Sequence, residues 1–304
     1  MKSISEICHK IGRSSRKRLA IAAAEDKDVL YSVIQACDKG IIDAILFGNQ
    51  KVIEQILKDL GVGIEKYFIV NTRDSEESAQ KAVEYVSSGK ADIIMKGSLD
   101  SGTFMKTVFN KQFGLRIPGM VISSIAIIEI TIENRKRLLF ISDPGVIPLP
   151  DLETKKKIIE NAVEVMHYLG IKEPKVAVLS AMENVNQKII SSYEGKKLEE
   201  MNQNGDISGC IIGGPFSLDL AISRRSADRK AFRHPVAGNA DLILVPSLEV
   251  GNVLLKSITY FVNPPVCGVV AGTKAPVVFT SRSDSVQTKL NTISLAVLLV
   301  EMRI

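Results

Sequence analysis

Short apolar runs rich in β-branched residues alternate along this chain with longer segments whose apolar positions recur every three or four residues. The short runs, at residues 19–24, 43–47, 67–70, 92–95, 175–179, 207–212, 242–245, 266–270 and 277–279, predict buried strands. Helix-period segments at 28–39, 49–60, 75–87 and 152–169 lie between many of them, and Val286, Leu290, Ile293 and Val297 mark a last helix. This alternation predicts an α/β protein with mainly parallel sheets and helices on both faces. Residues 123–130 and 137–141 break the pattern, because only a short connection separates them and it suits an antiparallel hairpin. Asp143-Pro144-Gly145, followed by Pro148 and Pro150, forms the densest run of turn signals and predicts a domain crossover near 140–150.

A length of 304 residues is enough for two domains. The absence of Trp and the few aromatics argue against single-stranded nucleic acid bound by base stacking. A net charge of +5 suits an anionic substrate without demanding nucleic acid. Cys8, Cys37, Cys210 and Cys267 form no CxxC pair, and His9, His167 and His234 have no metal-motif spacing. No apolar run approaches the ~18 residues of a membrane span, and no secretory signal is visible. A cytoplasmic protein without metal, membrane or nucleic-acid partners is expected.

Four strand-to-turn-to-helix loops carry the candidate chemistry. Met95-Lys96-Gly97-Ser98-Leu99-Asp100 leaves a strand and opens a helix, with glycine for close backbone approach and a lysine for an anion; it lacks Walker A spacing. Gly213-Gly214-Pro215 follows the strand at 207–212, as a tight turn or a ligand-facing backbone. Pro246 to Asn252 precedes a helix, where Ser247 fits an N-cap and Gly251 a close approach. Thr280-Ser281-Arg282-Ser283-Asp284-Ser285 joins hydroxyl, guanidinium and carboxylate at the end of a strand, the place where open α/β sheets bind ligands. Arg282 suits bidentate phosphate binding or an oxyanion. Asp284, three residues before Gln287, fits a helix cap or a base. Arg224, Arg225, Arg229, Lys230 and Arg233 form a basic run that reads as a solvated face or a contact for outlying phosphates.

Taken in order, Met95-Lys96-Gly97, Gly114-Leu115-Arg116, Gly214-Pro215 with Asp219, Pro235-Val236-Ala237-Gly238 with Ala240-Asp241, Val245-Pro246, Gly251-Asn252 and Ala275-Pro276-Val277 with Thr280-Ser281-Arg282 resemble the phosphate acetyltransferase and phosphate butyryltransferase family, most closely its butyryl branch. The resemblance implies reversible transfer of a short acyl group between coenzyme A and inorganic phosphate, by direct attack without a covalent intermediate. No cofactor is held permanently; coenzyme A is a substrate. It implies two α/β domains like those of isocitrate and isopropylmalate dehydrogenases, with a cleft between them and a homodimeric assembly. The C-terminal strand and helix would return to the first domain, giving 1–140 plus 275–304 and 141–274.

Carried over residue by residue, Ser281, Arg282 and Asp284 become the catalytic candidates. Lys96, Gly97, Ser98, Lys106 and Arg116 become those for phosphate, and Gly214, Pro215, Pro246, Gly251, Asn252 and Tyr260 those for the CoA and acyl chain. Lys106 stands where relatives carry an arginine, which keeps charge but gives up a bidentate fork. An active-site arginine of the acetyl branch falls at Tyr260, and that branch's catalytic aspartate falls near Thr288, leaving Asp284 as the nearest carboxylate. Two other readings fit parts of the pattern: a metal- and NAD-dependent dehydrogenase, which lacks its acidic cluster here, and an acyl-CoA-binding sensor.

Overall fold

A computed structural model describes residues 3–11 and 16–302. The chain forms two compact units, Ile7–Met120 with Cys267–Ile304 and Met1–Glu6 with Val121–Val266. The boundaries therefore lie near 120 and 266 rather than near 140 and 275. The reason is the hairpin. Its second strand pairs in parallel with a strand at 242–244, so the whole hairpin belongs with the later residues. Helix α1 (Ile4–His9) carries the first change of unit.

In the unit that contains both chain ends of the sheet, β1 (Lys17–Ala22), β2 (Ile42–Gly48), β3 (Phe68–Asn71), β4 (Ile93–Lys96), β10 (Val266–Ala271) and β11 (Val277–Val278) lie in the order β3-β2-β1-β4-β11-β10. All neighbours are parallel except β10 and β11. Strand alternation divides the side chains between two helical layers. Leu19, Ile21, Leu46, Ile93, Met95 and Val278 face α2 (Lys27–Asp38), α3 (Gln50–Asp59) and α11 (Val286–Met302) in one apolar cluster. The other face is covered by α4 (Ser75–Ser87), where Tyr85 meets Phe47 edge-on at 5.0 Å, and by α5 (Ser101–Val108). Asp26, Asn49, Asp74 and Asp100 cap α2 to α5 by accepting backbone N–H groups of the first turn.

The second unit orders β5 (Ser123–Ile132), β6 (Arg135–Ser142), β7 (Lys175–Leu179), β8 (Ile211–Phe216) and β9 (Leu242–Leu244) as β5-β6-β9-β7-β8. Only the β5–β6 hairpin is antiparallel. Helices α6 (Leu152–Tyr168) and α7 (Ile190–Gln203) cover one face; α8 (Leu218–Ile222), α9 (Arg224–Arg229) and α10 (Leu248–Val262) close the other over Ile128, Ile141, Phe216 and Ile243.

The strand expected at 207–212 lies four residues further on. Gly213, Gly214 and Pro215 form the buried interior of β8, not a turn after it. A Cβ at Gly214 would sit 2.6 Å from the Gly195 carbonyl oxygen of α7, so glycine here lets helix and strand backbones touch. The basic run also differs from one helix face. It is split between α9 and the turn after it, with Lys230 paired to Glu183 and Asp219 and the Arg224 guanidinium donating to Asn239 Oδ1. Among the described residues, no helix is long and apolar enough to cross a membrane.

Gly214→Ala is expected to lower the unfolding free energy by about 1–3 kcal/mol, the cost of overpacking a filled core. An unshifted urea midpoint would show that the α7–β8 contact is not tight.

Candidate active site

The C-terminal ends of β4 and β11, two adjacent parallel strands with Val277 opposite Ile94 and Val278 opposite Met95, place two loops side by side. The first loop begins at Lys96. Since Ile93 and Met95 face the apolar cluster, alternation turns Lys96 to the side of α4 and α5, where it is 3% exposed. Gly97 then crosses the end of β1 at contact distance. Its N–H donates to Ala22 O at 2.8 Å, and an added Cβ would lie 2.1 Å from Ala23 O. The Ser98 N–H donates to Ala23 O at 2.6 Å. These two amides are thus engaged within the fold, which corrects the expectation that the Gly97-Ser98 backbone offers them to phosphate. The lysine and the exposed Ser98 side chain remain as the groups this loop presents.

Asp100 ends the loop by capping α5, accepting from Thr103 N at 2.9 Å. Hydrogen bonding from Thr103 holds its carboxyl below the usual range, and the Arg282 charge adds to the effect. Phe104 of α5 stacks on Phe279, the residue after β11, with centroids 6.2 Å apart and planes at 12°. That stack joins the start of α5 to the start of the second loop.

The second loop is a closed turn. Ser281 N donates to Asp284 Oδ2 at 2.7 Å and Asp284 N donates to Ser281 O at 3.2 Å. The Ser281 and Ser283 hydroxyls are 3.0 Å apart. Asp284 is therefore not the cap of α11. Ser285 is: its hydroxyl accepts from Thr288 N at 3.1 Å and its carbonyl from Lys289 N at 3.0 Å. Gln287 reaches Asn291 Oδ1 instead of closing a capping box.

Beneath the loop lies a cation absent from the expected set. Lys289 of α11 is 1% exposed, and its ammonium donates to the carbonyl oxygens of Arg282 and Asp284. Burial holds the Lys96 ammonium below the ordinary lysine range. Arg282 and Lys289 push it the same way, while Asp100 and Asp284 oppose them. Three cations and two carboxylates thus meet around the end of β4, leaving an excess of positive charge. A bound anion would relieve the repulsion between Lys96 and Arg282, and the Arg282 guanidinium, exposed and without a side-chain partner among the described residues, is available to it.

Lys106 and Arg116 belong to the same unit but stand apart from this network. Lys106 is exposed in the last turn of α5, and Arg116 is exposed on a segment bridged to Thr273. In the other unit, Gly251 and Asn252 are drawn to the Asp143-Pro144 loop: a Cβ at Gly251 would lie 2.9 Å from Pro144 Cα, and Asn252 Nδ2 donates to Pro144 O at 3.4 Å. That loop is held by buried Asp143, which accepts from Ser124 Oγ and from the N–H groups of Gly145, Val146 and Ile147. Half-buried Pro246 precedes α10 on the same side. Gly214 and Pro215 are packed inside β8, and Tyr260 is nine residues from Gly251, about 13 Å along α10.

Burial pushes the Cys37 thiol up to about 12 and the Cys210 thiol to about 11, so neither is a nucleophile near neutral pH. A cavity of about 390 Å³ lined by Arg16, Cys37, Asp43, Lys66 and Tyr67 lies at the opposite, N-terminal end of β2 and contains none of the site residues. Among the described residues, no group of three or more His, Cys, Asp or Glu side chains is placed to hold a metal ion.

A cationic loop pair at parallel strand ends suits an anionic group. The chain belongs to the family described as Phosphate acetyl/butaryl transferase, whose model matches residues 3–86 and 76–297. It is 42% identical to the phosphate butyryltransferase of Clostridium acetobutylicum, over 98% of each chain. With the phosphate acetyltransferase of Thermotoga maritima it shares 38% identity, over 94% of this chain and 96% of the relative. The crystal structure of a branched-chain phosphotransacylase from Enterococcus faecalis V583 superposes with a TM-score of 0.83 at 31% identity, covering 93% of this chain and 99% of that one. The chain is accordingly a catalytic phosphate acyltransferase.

Ser285→Ala is expected to cost about 0.5–2 kcal/mol of stability through loss of the α11 cap. Thermal unfolding of the variant checks it; an unchanged midpoint would return the cap to another residue.

Proposed function

We propose that this enzyme transfers a butyryl-sized acyl group between coenzyme A and inorganic phosphate, with Arg282 as the group that stabilises the transition state. The observation that carries the reading is the convergence of Lys96 and Arg282, both cationic, at the ends of two adjacent strands. Lys96 holds the phosphate dianion. A phosphate oxygen attacks the thioester carbonyl carbon, the carbonyl oxygen gathers charge, and the Arg282 guanidinium neutralises it. The C–S bond then breaks, giving acyl phosphate and the CoA thiolate, which takes up a proton. Ser281 donates a hydrogen bond to the departing sulfur, and Asp284, fixed by the Ser281 N–H, exchanges the thiol proton. Lys106 and Arg116 extend the positive field to the approaching phosphate. Pro246, Gly251 and Asn252, gathered at the Asp143-Pro144 loop, and Gly214 and Pro215 of β8 are kept as the candidates for the CoA and acyl chain.

We read the architecture as a relative of the isocitrate and isopropylmalate dehydrogenase fold, on the support of two α/β units, each built from separated stretches of chain. A homodimer is part of the same proposal. Val253, Tyr260 and Phe261 on α10 are 65%, 71% and 87% exposed, an apolar side that suits a subunit contact. Tyr260 then belongs to that contact as much as to the substrate. Four free cysteines suit a reducing, cytoplasmic setting.

Phosphate-dependent release of CoA thiol, scanned over acyl-CoA chain length, tests the substrate assignment; a maximum at acetyl-CoA would move the chain to the acetyl branch. Arg282→Ala is expected to lower kcat about 10²–10³-fold. Because the Lys96 pKa is depressed, its proton leaves at lower pH than that of an exposed lysine, so KM for phosphate is expected to rise on the alkaline side. A phosphate KM independent of pH there would remove Lys96 from phosphate binding.

A further inference from the structure

Lys289 is the most buried cation near the site, and the reaction as derived gives it no task. It sits on α11 four residues after the Ser285 cap, in a helix whose other described side chains of charge reduce to Glu301. Its ammonium is turned away from solvent and up into the Ser281–Ser285 turn, where it donates to two backbone carbonyls, those of Arg282 and Asp284. Such a position is costly. A buried ammonium is disfavoured by several kcal/mol unless its protons are satisfied, and carbonyl dipoles satisfy them without neutralising the charge. A neutral donor would close the turn at lower cost, so the retained charge calls for a further account.

The geometry points to Lys289 as a positioning residue, which fixes the backbone carbonyls of Arg282 and Asp284 and places an uncompensated positive charge beneath the phosphate locus. This rests on the assignment of Arg282 and Lys96 given above. Both consequences follow from contacts already described. Holding the carbonyls of residues 282 and 284 sets the direction in which the Arg282 side chain leaves the turn, and an error of about 1 Å in such a group costs on the order of 10²-fold in rate. The charge acts on Lys96 together with every other ionised group that faces it: Arg282 and Asp284 from the turn, Asp100 from the start of α5, and Lys289 from α11. Removing Lys289 takes one positive neighbour from Lys96, so Lys96 keeps its proton to higher pH.

The test measures phosphate-dependent CoA release from butyryl-CoA against pH for Lys289→Met and Lys289→Gln, each in the native and the Arg282→Ala background, with circular dichroism and thermal unfolding alongside. In the native background kcat is expected to fall about 10²-fold and the alkaline limb to move to higher pH. In the Arg282→Ala background the loss of kcat is expected to disappear, because the group being positioned is gone. A folded Lys289→Met enzyme with native kcat and an unmoved alkaline limb would overturn the inference. So would an equal loss in both backgrounds, or failure of both variants to fold, either of which would make Lys289 a residue of the core. If Arg282→Ala alone leaves kcat unchanged, the assignment of Arg282 fails, and the positioning role falls with it.

Discussion

Everything at the site depends on the parallel register of β4 between β1 and β11. Parallel strands end on the same edge of a sheet, so three loops are delivered to one place. The Gly97 backbone tightens this arrangement. It lies so near the end of β1 that no side chain fits, and its amide closes onto the Ala22 carbonyl. Ala23 adopts a left-handed conformation at φ 55°, and its N–H is held by the Ser78 hydroxyl of α4. The lysine that ends β4 therefore has little freedom, and its charge is set against Arg282 before any substrate arrives.

The charges of the site are arranged to be incomplete. Asp100 and Asp284 face the cations, but each is committed elsewhere: Asp100 to the first turn of α5 and Asp284 to the Ser281 amide. Elsewhere on the surface, carboxylates pair directly with lysines and arginines, as Asp92 does with Arg18 and Glu183 with Lys230. A carboxylate locked onto backbone amides moderates a cation without saturating its hydrogen-bonding capacity. An anion entering this space gains what the protein has left unmade.

Much of this was legible in the sequence, and the failures have physical causes. The helix at 75–87 and the strand at 175–179 have the bounds their periodicity predicts, because apolar spacing and burial coincide there. Arg282 could be singled out because a guanidinium straight after a buried strand has few structural uses. Gly213-Gly214-Pro215 misled, since turn chemistry and close backbone packing use the same residues, and only the position of Gly195 distinguishes them. Asp284 was ambiguous for a similar reason: two neighbouring residues, Asp284 and Ser285, both make good caps, and the turn decides between them. Lys289 gives no sequence signal because the one basic residue of α11 reads as a solvated point, whereas its side chain runs inward. The unit boundaries differ from those that turn signals predict because the strong turn at 143–150 is the link between β6 and α6, inside one unit.

The placement of β11 between β4 and β10 has a consequence for the order in which the enzyme comes into being. A chain emerging from the ribosome presents Lys96 and the start of α5 long before Arg282, and the central slot of that sheet stays open until residues 277–278 arrive. The last helix then brings Lys289 under the turn as it docks on α2. A chain that stops short of these residues therefore carries Lys96 without the Ser281–Ser285 turn and without the buried lysine beneath it.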